Sequence, residues 1–265
     1  MTSPSWDPQQ YLRHEGPRTR PLADLLARVG ELPRHPARIA DIGCGTGNGT
    51  ALLAARWPGA HVTGYDSSPA MLRTAAAHAG PTPGGGRIDF AHADLADWTP
   101  EPGTYDVILG NAVLQWVPDH WEHFPRWLAG LASGGTFAFQ VPGNYDAPSH
   151  ALMRHLARDP RWRERLHGVL RDQPVLQPVA YLELLCDLGC AGDAWETTYA
   201  HLLHGTDPVL DWVKGTGLRP VLDALGDEAD AFVDAYAALL RTAYPPGPHG
   251  TPFPFRRIFA LGVTP

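Results

Sequence analysis

The sequence predicts an α/β fold, in which seven strands form a doubly wound sheet with an antiparallel last strand and helical cap insertions. Three features support this. Short apolar strands alternate with helical segments in the first half, a glycine-rich turn follows the first strand and opens a helix, and two widely separated strands lie in the second half. Such alternation is typical of a parallel sheet with right-handed crossovers, which brings the carboxyl ends of the strands to one edge, where ligands bind.

The first half of the chain contains five predicted strands with helices between them. Helical apolar spacing is found at 21–29, where Pro21 begins the segment, and at 48–57, 69–79 and 120–131. The strands are predicted at 38–42, 61–65, 88–91, 105–110 and 135–141. The stretch 80–86 is rich in glycine and proline and is predicted to be a loop.

The second half is more helical. Segment 144–176 is broken by prolines and helical in patches, 180–188 reads as a helix, and two amphipathic helices are predicted around 209–213 and 227–244. The remaining strands are 195–203 and 255–263, which pair as a hairpin if the helices between them form a cap. We predict one domain over 1–265, with a core of about 30–142, 180–204 and 253–265 and a cap of 1–29, 143–179 and 205–252.

Composition and charge argue against several classes of function. The formal net charge is −7, and Lys214 is the only lysine, so the clustered basic residues that release counterions from nucleic acid are missing. No run of about 18 apolar residues suggests a membrane span. Three cysteines fit a reducing compartment without disulfides. We therefore expect a cytoplasmic protein with a small-molecule substrate and without a nucleic-acid, membrane or obligate protein partner.

A glycine-rich turn follows the first predicted strand, in the segment Asp41-Ile-Gly43-Cys44-Gly45-Thr-Gly47. The dinucleotide fingerprint requires a glycine at its sixth position, which is Asn48 when counted from Gly43, so the fingerprint fails. An acidic residue stands two positions before the first glycine. A cationic sulfonium with an amino-acid tail suits that acid better than a pyrophosphate does.

Two more acids follow the next strands. Asp66 ends the second strand, nineteen residues after Gly47, at the spacing where an acid accepts ribose hydroxyls in nucleotide-binding sheets. Asp94 follows the third strand, where its carboxylate can accept a hydrogen bond from an adenine amino group. Taken alone, each acid is more often a helix cap or a solvated loop residue. Together with the glycine turn, they predict an adenosine-shaped site along one sheet edge.

These segments resemble the class I methyltransferases. The turn at 41–47 looks like their first motif, Tyr65-Asp66-Ser67-Ser68-Pro69-Ala70-Met71 like their ribose segment, Ala93-Asp94-Leu95 like their adenine segment, and 106–111 like their fourth-strand motif. The resemblance covers about 38–142 and implies a Rossmann-like sheet with S-adenosylmethionine as cofactor and S-adenosylhomocysteine as its product.

A closer resemblance runs nearly end to end, to the trans-aconitate methyltransferases. It rests on Trp6-Asp-Pro with Tyr11, on Arg18-Thr-Arg20-Pro21, and on the segments 111–120, 140–144, 148–150, 195–199, 211–213 with 217–220, and 253–257. It implies a monomethyl ester of trans-aconitate as product. The cofactor-binding residues that the resemblances and the motifs predict are Asp41, Gly43, Cys44, Gly45, Gly47, Asp66, Ser67, Met71, Asp94, Leu95, Asn111, Tyr11, Arg18 and Arg20.

The expected reaction needs no catalytic acid or base. A carboxylate has a pKa of about 4, so it is already an ionised nucleophile at neutral pH, and the protein has only to orient and desolvate it. No serine or cysteine nucleophile signature is present. The pairs His120/His123 and His201/His204 lack a third ligand of the usual pattern, so we expect no metal site.

A polycarboxylate needs donors for the groups that do not react, and arginine binds carboxylates bidentately. The predicted substrate-binding residues are Arg219, Arg256, Arg257, Asn144, Tyr145, Gln115, Trp116 and Trp6. Arg18 and Arg20 are further carboxylate-binding candidates. Because Arg256 and Arg257 are adjacent on a predicted strand, they point to opposite faces, so at most one is expected in the site.

Three alternatives remain open from the residues alone. The first is a small-molecule O- or N-methyltransferase of natural-product metabolism, which would share every cofactor motif and differ in its cap. The second is a non-catalytic protein that binds S-adenosylmethionine. The third and weakest is a nicotinamide dehydrogenase, because the glycine at the sixth position is missing.

Overall fold

The computed structural model of the chain describes residues 15–171 and 174–265, with side chains from Thr19 onward in the first range. One sheet holds eight strands, with the spatial order β3-β4-β2-β1-β5-β6-β8-β7. The strands are β1 (Arg38–Ile42), β2 (His61–Asp66), β3 (Gly80–Pro81), β4 (Arg87–His92), β5 (Tyr105–Asn111), β6 (Leu131–Pro142), β7 (Ala191–Leu203) and β8 (Thr251–Val263).

Strand β1 is the point at which the strand order reverses. It pairs in parallel with β2 on one side and with β5 on the other, while β2 continues in parallel to β4 and β5 to β6. The turn that follows β1 therefore lies at the topological switch point, which is where ligands bind in doubly wound sheets.

The last strand is antiparallel, as predicted. Thr264 donates its backbone N–H to the Gly135 carbonyl, and Gly143 donates to the Arg256 carbonyl, so the residue numbers on β6 rise as those on β8 fall. The predicted α/β class and doubly wound sheet are confirmed.

The sheet has eight strands where the sequence predicted seven. The additional strand is β3, which lies in the stretch predicted to be a loop: Gly80 and Pro81 pair antiparallel with Ile88 and Arg87. A strand of two residues carries no alternation of apolar and polar side chains, so the sequence pattern gives no sign of it.

The α-helices of the described residues are α1 (Glu15–Leu26), α2 (Asn48–Arg56), α3 (Pro69–Ala75), α4 (Phe124–Leu128), α5 (Pro148–Ala157), α6 (Pro178–Asp187), α7 (Pro208–Lys214), α8 (Arg219–Leu225) and α9 (Ala229–Ala243). Two predicted helices differ, and α8 lies where no helix was predicted. Helix α1 begins six residues before Pro21, which lies inside it. The predicted helix 120–131 is a 3₁₀ turn at His120–His123 followed by α4, which ends before β6 begins.

The chain divides into two compact units, which we call the sheet unit and the helical unit. The sheet unit consists of Gly16–Val141, Pro174–Glu196 and Ile258–Pro265. The described part of the helical unit is Glu15, 142–171 and 197–257. No helix within the described ranges is long and apolar enough to cross a membrane.

Each unit has a core of its own. In the sheet unit, Phe124, Phe137, Phe139 and Tyr181 pack with their ring centroids 4.9–6.3 Å apart. Buried His120 belongs to this core, since its Nε2 lies 2.7 Å from the Tyr181 hydroxyl. In the helical unit, the apolar faces of α5, α7, α8 and α9 meet around fully buried aromatic side chains, those of Trp212, Phe232, Tyr236 and Phe253. The hydrophobic area that these side chains bury stabilises each unit from within.

Candidate active site

The glycine turn after β1 has a backbone that side chains disfavour. Gly43, Gly45 and Gly47 have φ angles of +70°, +56° and +83°, in the left-handed region that glycine adopts without strain. A Cβ on Gly43 would lie 2.1 Å from Cγ2 of Val113, so no side chain fits there. A Cβ on Gly45 would meet nothing within 4 Å. The turn is therefore packed on one side and open at its middle glycine.

Backbone N–H groups of this turn are already hydrogen-bonded within the protein. Gly43 and Cys44 both donate to the Tyr65 carbonyl, at N···O distances of 2.7 and 2.9 Å, and Gly47 donates to the Cys44 carbonyl. Gly45 donates to Oδ2 of Asp66 at 2.9 Å. A phosphate-binding loop needs such N–H groups to point at its ligand. This turn is therefore unsuited to a pyrophosphate, as the failed fingerprint predicted.

Asp41 lies beneath the turn as a buried carboxylate. Thr50, in the first turn of α2, donates its hydroxyl to Oδ2 of Asp41 at 2.6 Å. Burial raises the pKa of Asp41 from 3.8 to about 6, the Thr50 hydrogen bond lowers it, and the nearby Asp66 carboxylate raises it. Two neighbouring carboxylates with little solvent favour a cationic ligand.

Asp66 ends β2 and connects two segments of the site. Its Oδ2 accepts the Gly45 N–H, and its Oδ1 accepts the Ser68 N–H at 2.8 Å. Burial raises its pKa, against the lowering effect of these two hydrogen bonds and of His92. Each carboxylate oxygen has a second lone pair. The held carboxylate can therefore still accept hydroxyl donors such as those of a ribose.

The other predicted cofactor residues of the sheet unit have varied environments. Cys44 is buried, and burial with two nearby carboxylates raises the pKa of its thiol, which excludes a thiolate nucleophile. Met71 and Leu95 are buried, whereas Ser67 is exposed. Asp94 is also exposed, and its Oδ1 accepts the Ala96 N–H at 3.0 Å.

The end of β5 is held by amide side chains. Gln140 donates its Nε2 to Oδ1 of Asn111 at 2.6 Å, and Ala112 donates its N–H to the Gln140 carbonyl. Ala112 has a φ of +58°, a strained conformation for a residue with a side chain. Buried Gln115 donates its Nε2 to the Ala112 carbonyl at 2.6 Å, while Trp116 is half-buried. Gln115 thus braces the chain where it leaves β5.

In the helical unit, Asn144 brackets the backbone of Arg256. Its Nδ2 donates to the Arg256 carbonyl at 2.9 Å, and its Oδ1 accepts the Arg256 N–H at 2.6 Å. Arg256 in turn donates its Nη1 to the Gly143 carbonyl at 3.2 Å. Both side chains were predicted to bind substrate. Their hydrogen bonds fix segment 143–145 against β8.

Tyr145 follows Asn144 and is within the electrostatic influence of three arginines. Burial raises the pKa of its hydroxyl, and the positive charges of Arg171, Arg257 and Arg154 oppose that rise. Arg257 is buried, with its guanidinium 4.7 Å from the centroid of the Phe255 ring. The ring of His150 lies 5.3 Å from that of Tyr145. The positive charge of these three arginines favours the binding of an anion near the Tyr145 hydroxyl.

Of the remaining predicted residues, Arg20 and Arg219 each lie near an acid of their own helix, and the others are outside the described structure. Arg20 is exposed, and its Nε lies 4.0 Å from Asp24 on the next turn of α1. Arg219, at the start of α8, lies 3.7 Å from Asp223. Trp6 and Tyr11 are outside the described residues, as is the side chain of Arg18.

Sequence reasoning missed Thr50, Gln140, Arg154 and Arg171. Thr50 had a usable signal, because it stands in the first turn of the helix that the glycine turn opens. Gln140 belongs to segment 140–144, which supported the resemblance to the trans-aconitate methyltransferases, but no role was assigned to it. For Arg154 and Arg171 no local pattern distinguishes them from surface arginines.

Comparison with known proteins places these features in context. Residues 39–135 match the model of a family described as a methyltransferase domain. The trans-aconitate 2-methyltransferase of Streptomyces coelicolor is 63% identical over 268 residues, covering all of this chain and 88% of that protein. The protein of the same name from Streptomyces avermitilis is 65% identical, covering 97% of this chain and 96% of that protein.

A solved structure shares the fold at low identity. Phosphoethanolamine N-methyltransferase 2 of Haemonchus contortus, in complex with S-adenosyl-L-methionine, has a TM-score of 0.54 and 18% identity, over 93% of this chain and 52% of that chain.

Proposed function

The chain belongs to the trans-aconitate 2-methyltransferase family, and from that premise we propose that it transfers a methyl group from S-adenosylmethionine to a carboxylate of trans-aconitate. The observation that carries the proposal is an identity of 63–65% that extends over 97–100% of the chain. The identity therefore includes the helical unit as well as the cofactor motifs. The arginines around Tyr145 favour a polyacid over the phenols of the natural-product alternative.

The sheet unit has a donor and acceptor set that fits the cofactor. Its turn leaves open space at Gly45 and has no N–H arrangement for a phosphate. Asp41 and Asp66 provide buried negative charge for a cation and an acceptor for ribose hydroxyls. We propose that these residues, with Gly43, Gly47 and Asn111, hold the cofactor, while Asp94 and Leu95 contact its adenine.

When bound, S-adenosylmethionine supplies an electrophilic methyl group on a sulfonium. The residues of the protein need only bind, orient and desolvate an acid that is already ionised, because a carboxylate has a pKa of about 4. Burial and Arg154 lower the pKa of His150 to about 4, so it is neutral at neutral pH. Burial raises the pKa of Tyr145, so its hydroxyl stays protonated and can donate a hydrogen bond. We therefore propose that no residue acts as a general acid or base.

The substrate-binding set follows from the contacts of the helical unit. We propose that Arg257 and Tyr145 contact the substrate, and that Asn144 and Arg256 are positioning residues. Of the adjacent arginines, Arg257 has the buried side chain, and Arg256 is tied to the Gly143 carbonyl. Arg219 pairs with Asp223 and is the weaker candidate.

We also propose that the enzyme works in the cytoplasm on a diffusible substrate, without nucleic acid or an obligate protein partner. Its net charge of −7 supports this, because a polyanion would be repelled. Free cysteines support a reducing compartment.

An endpoint assay with radiolabelled S-adenosylmethionine tests the function. The acceptors are trans-aconitate, cis-aconitate, citrate, isocitrate and simple phenols, and a matched reaction lacks any acceptor. We expect label in a base-labile ester of trans-aconitate. Transfer to a phenol would support the natural-product alternative. Cofactor binding without transfer to any acid would refute the proposal.

A further inference from the structure

A cavity in the helical unit is rich in positive charge. It has a volume of about 440 Å³, and four of the eight described residues that line it are basic: Arg154, Arg158, Arg163 and His167. The other four described lining residues are uncharged. The volume is within the range of roughly 300–1,000 Å³ that small-molecule sites occupy. The cavity therefore suits a small polyanion in size and charge.

One face of helix α5 leads from Tyr145 to this cavity. His150 and Arg154 are four residues apart, so they lie on the same face of the helix, and Arg158, the C-cap residue, follows at the same spacing. His150, at one end, packs against the Tyr145 ring. Arg154 and Arg158 line the cavity. Arg154 therefore lies along the helix between His150, which contacts the Tyr145 ring, and Arg158 at the cavity.

Arg154 also acts electrostatically on both ring residues. Its charge favours the ionised form of Tyr145 and, after burial, contributes to the lowered pKa of His150. Arg171 and Arg257 act on Tyr145 in the same way. Guanidinium groups keep their charge throughout the physiological pH range, whereas His150 is neutral there. The positive field around Tyr145 is therefore a fixed property of three arginines.

We propose that Arg154 is a specificity-determining residue, which together with Arg171 and Arg257 binds the carboxylates of the substrate that are not methylated. The inference rests on the proposed function and adds a recognition role for the cavity face of α5. A planar guanidinium can bind a carboxylate with two parallel hydrogen bonds. Several guanidinium groups that act on one substrate would select acids that carry several carboxylates over acids that carry one.

The test removes one guanidinium and one substrate carboxylate, separately and together. The variants are Arg154→Gln and Arg154→Lys. Arg161→Gln is the matched control, because Arg161 is an exposed arginine of the same unit whose guanidinium lies over Trp162 and outside the cavity lining. The acceptors are trans-aconitate and three dicarboxylates that each lack a different carboxylate of it: 2-methylenebutanedioate, 2-methylbut-2-enedioate and pent-2-enedioate.

We expect Arg154→Gln to lower kcat/KM for trans-aconitate by about 10- to 100-fold, the loss typical of a hydrogen bond between charged groups. One of the dicarboxylates lacks the carboxylate that Arg154 binds. For that acceptor, the kcat/KM values of the variant and the wild type should agree within about threefold, because the interaction is already missing in both. Arg154→Lys should fall between them, since it keeps the charge without the fork. An equal loss on all acceptors, or a loss no larger than that of Arg161→Gln, would overturn the proposal.

Calorimetry separates this inference from the proposed function. The ligand is propane-1,2,3-tricarboxylate, titrated into each protein saturated with S-adenosylhomocysteine, so that no methyl transfer takes part. We expect at least tenfold weaker tricarboxylate binding by Arg154→Gln, with unchanged S-adenosylhomocysteine affinity as a check of folding. If wild-type protein methylates no acid but this difference persists, the function fails and the anion site stands. If Arg154→Gln binds the tricarboxylate as tightly as the wild type, the anion site fails.

Discussion

Asp41→Asn should make the protein without cofactor more stable at neutral pH. Burial raises the pKa of Asp41 from 3.8 to about 6, so the folded chain binds this proton more tightly than the unfolded chain does. At about 1.4 kcal/mol for each pKa unit, the rise of roughly 2 units corresponds to about 3 kcal/mol. The contribution of the protonated carboxyl to stability is present in full below about pH 4 and is lost as the pH rises through about 6. The asparagine has no charge to desolvate and avoids this loss.

The assay is urea unfolding of the wild type and the variant between pH 4 and 8, without cofactor. The free energy of unfolding of Asp41→Asn relative to the wild type should rise by up to about 3 kcal/mol across this interval. Asp97→Asn is the matched control, because Asp97 is an exposed carboxylate of the same unit. A difference that does not change with pH, or that falls as the pH rises, would refute the reasoning.

The same substitution should have the opposite effect on cofactor binding. Calorimetry at pH 7.5 should show weaker binding of S-adenosylmethionine by Asp41→Asn, by about tenfold or more, because a buried anion near a bound cation contributes on the order of 1.4 kcal/mol or more. Wild-type affinity should fall as the pH is lowered through about 6, where Asp41 gains a proton. Unchanged affinity in the variant would exclude Asp41 from the cofactor site.

Three further variants test single contacts. Gly43→Ala would place a Cβ 2.1 Å from Val113 at a φ of +70°. We expect urea unfolding to show a free energy of unfolding lower by about 2–4 kcal/mol, because of overpacking and backbone strain. A decrease below about 0.5 kcal/mol would contradict the packing described. Asp66→Asn keeps one acceptor oxygen for two backbone N–H groups. Calorimetry should therefore show S-adenosylmethionine binding at least tenfold weaker, roughly the effect of one charged hydrogen bond. An unchanged Kd would argue against ribose binding by Asp66. Asn144→Ala removes both hydrogen bonds to the Arg256 backbone and should lower kcat/KM for trans-aconitate while leaving cofactor affinity intact; equal losses in both would indicate general unfolding instead.

The cofactor side of the site could be predicted because its signals are local in the sequence. The glycines, Asp41 and Asp66 stand next to strands whose apolar pattern is clear, and parallel topology alone brings strand ends to one edge. The structure places Asp66 against the Gly45 N–H, which agrees with that prediction. Fold class follows from the same alternation, whereas the two-residue strand β3 and the short helix α8 were missed.

The substrate side could be predicted only in part, because its residues are brought together by tertiary packing. Arg154 and Arg171 lie in a segment without clear periodicity, and nothing local distinguishes them from surface arginines. Arg257 was predicted with Arg256, and of the two adjacent residues Arg257 has the buried side chain, whereas Arg256 donates to the Gly143 carbonyl. The bracket formed by Asn144 joins residues 112 positions apart, a pairing that no pattern along the chain reveals.

The hydrogen bonds inside the glycine turn also limit how this protein could be redesigned. Replacing Asn48 with glycine would complete the spacing of a dinucleotide fingerprint when counted from Gly43. A pyrophosphate would still have to compete with the Tyr65 carbonyl and the Asp66 carboxylate for the N–H groups of Gly43, Cys44 and Gly45. Asp66 would also repel it. A pyrophosphate would thus lack the backbone donors on which phosphate-binding loops depend, because the turn uses them within its own chain.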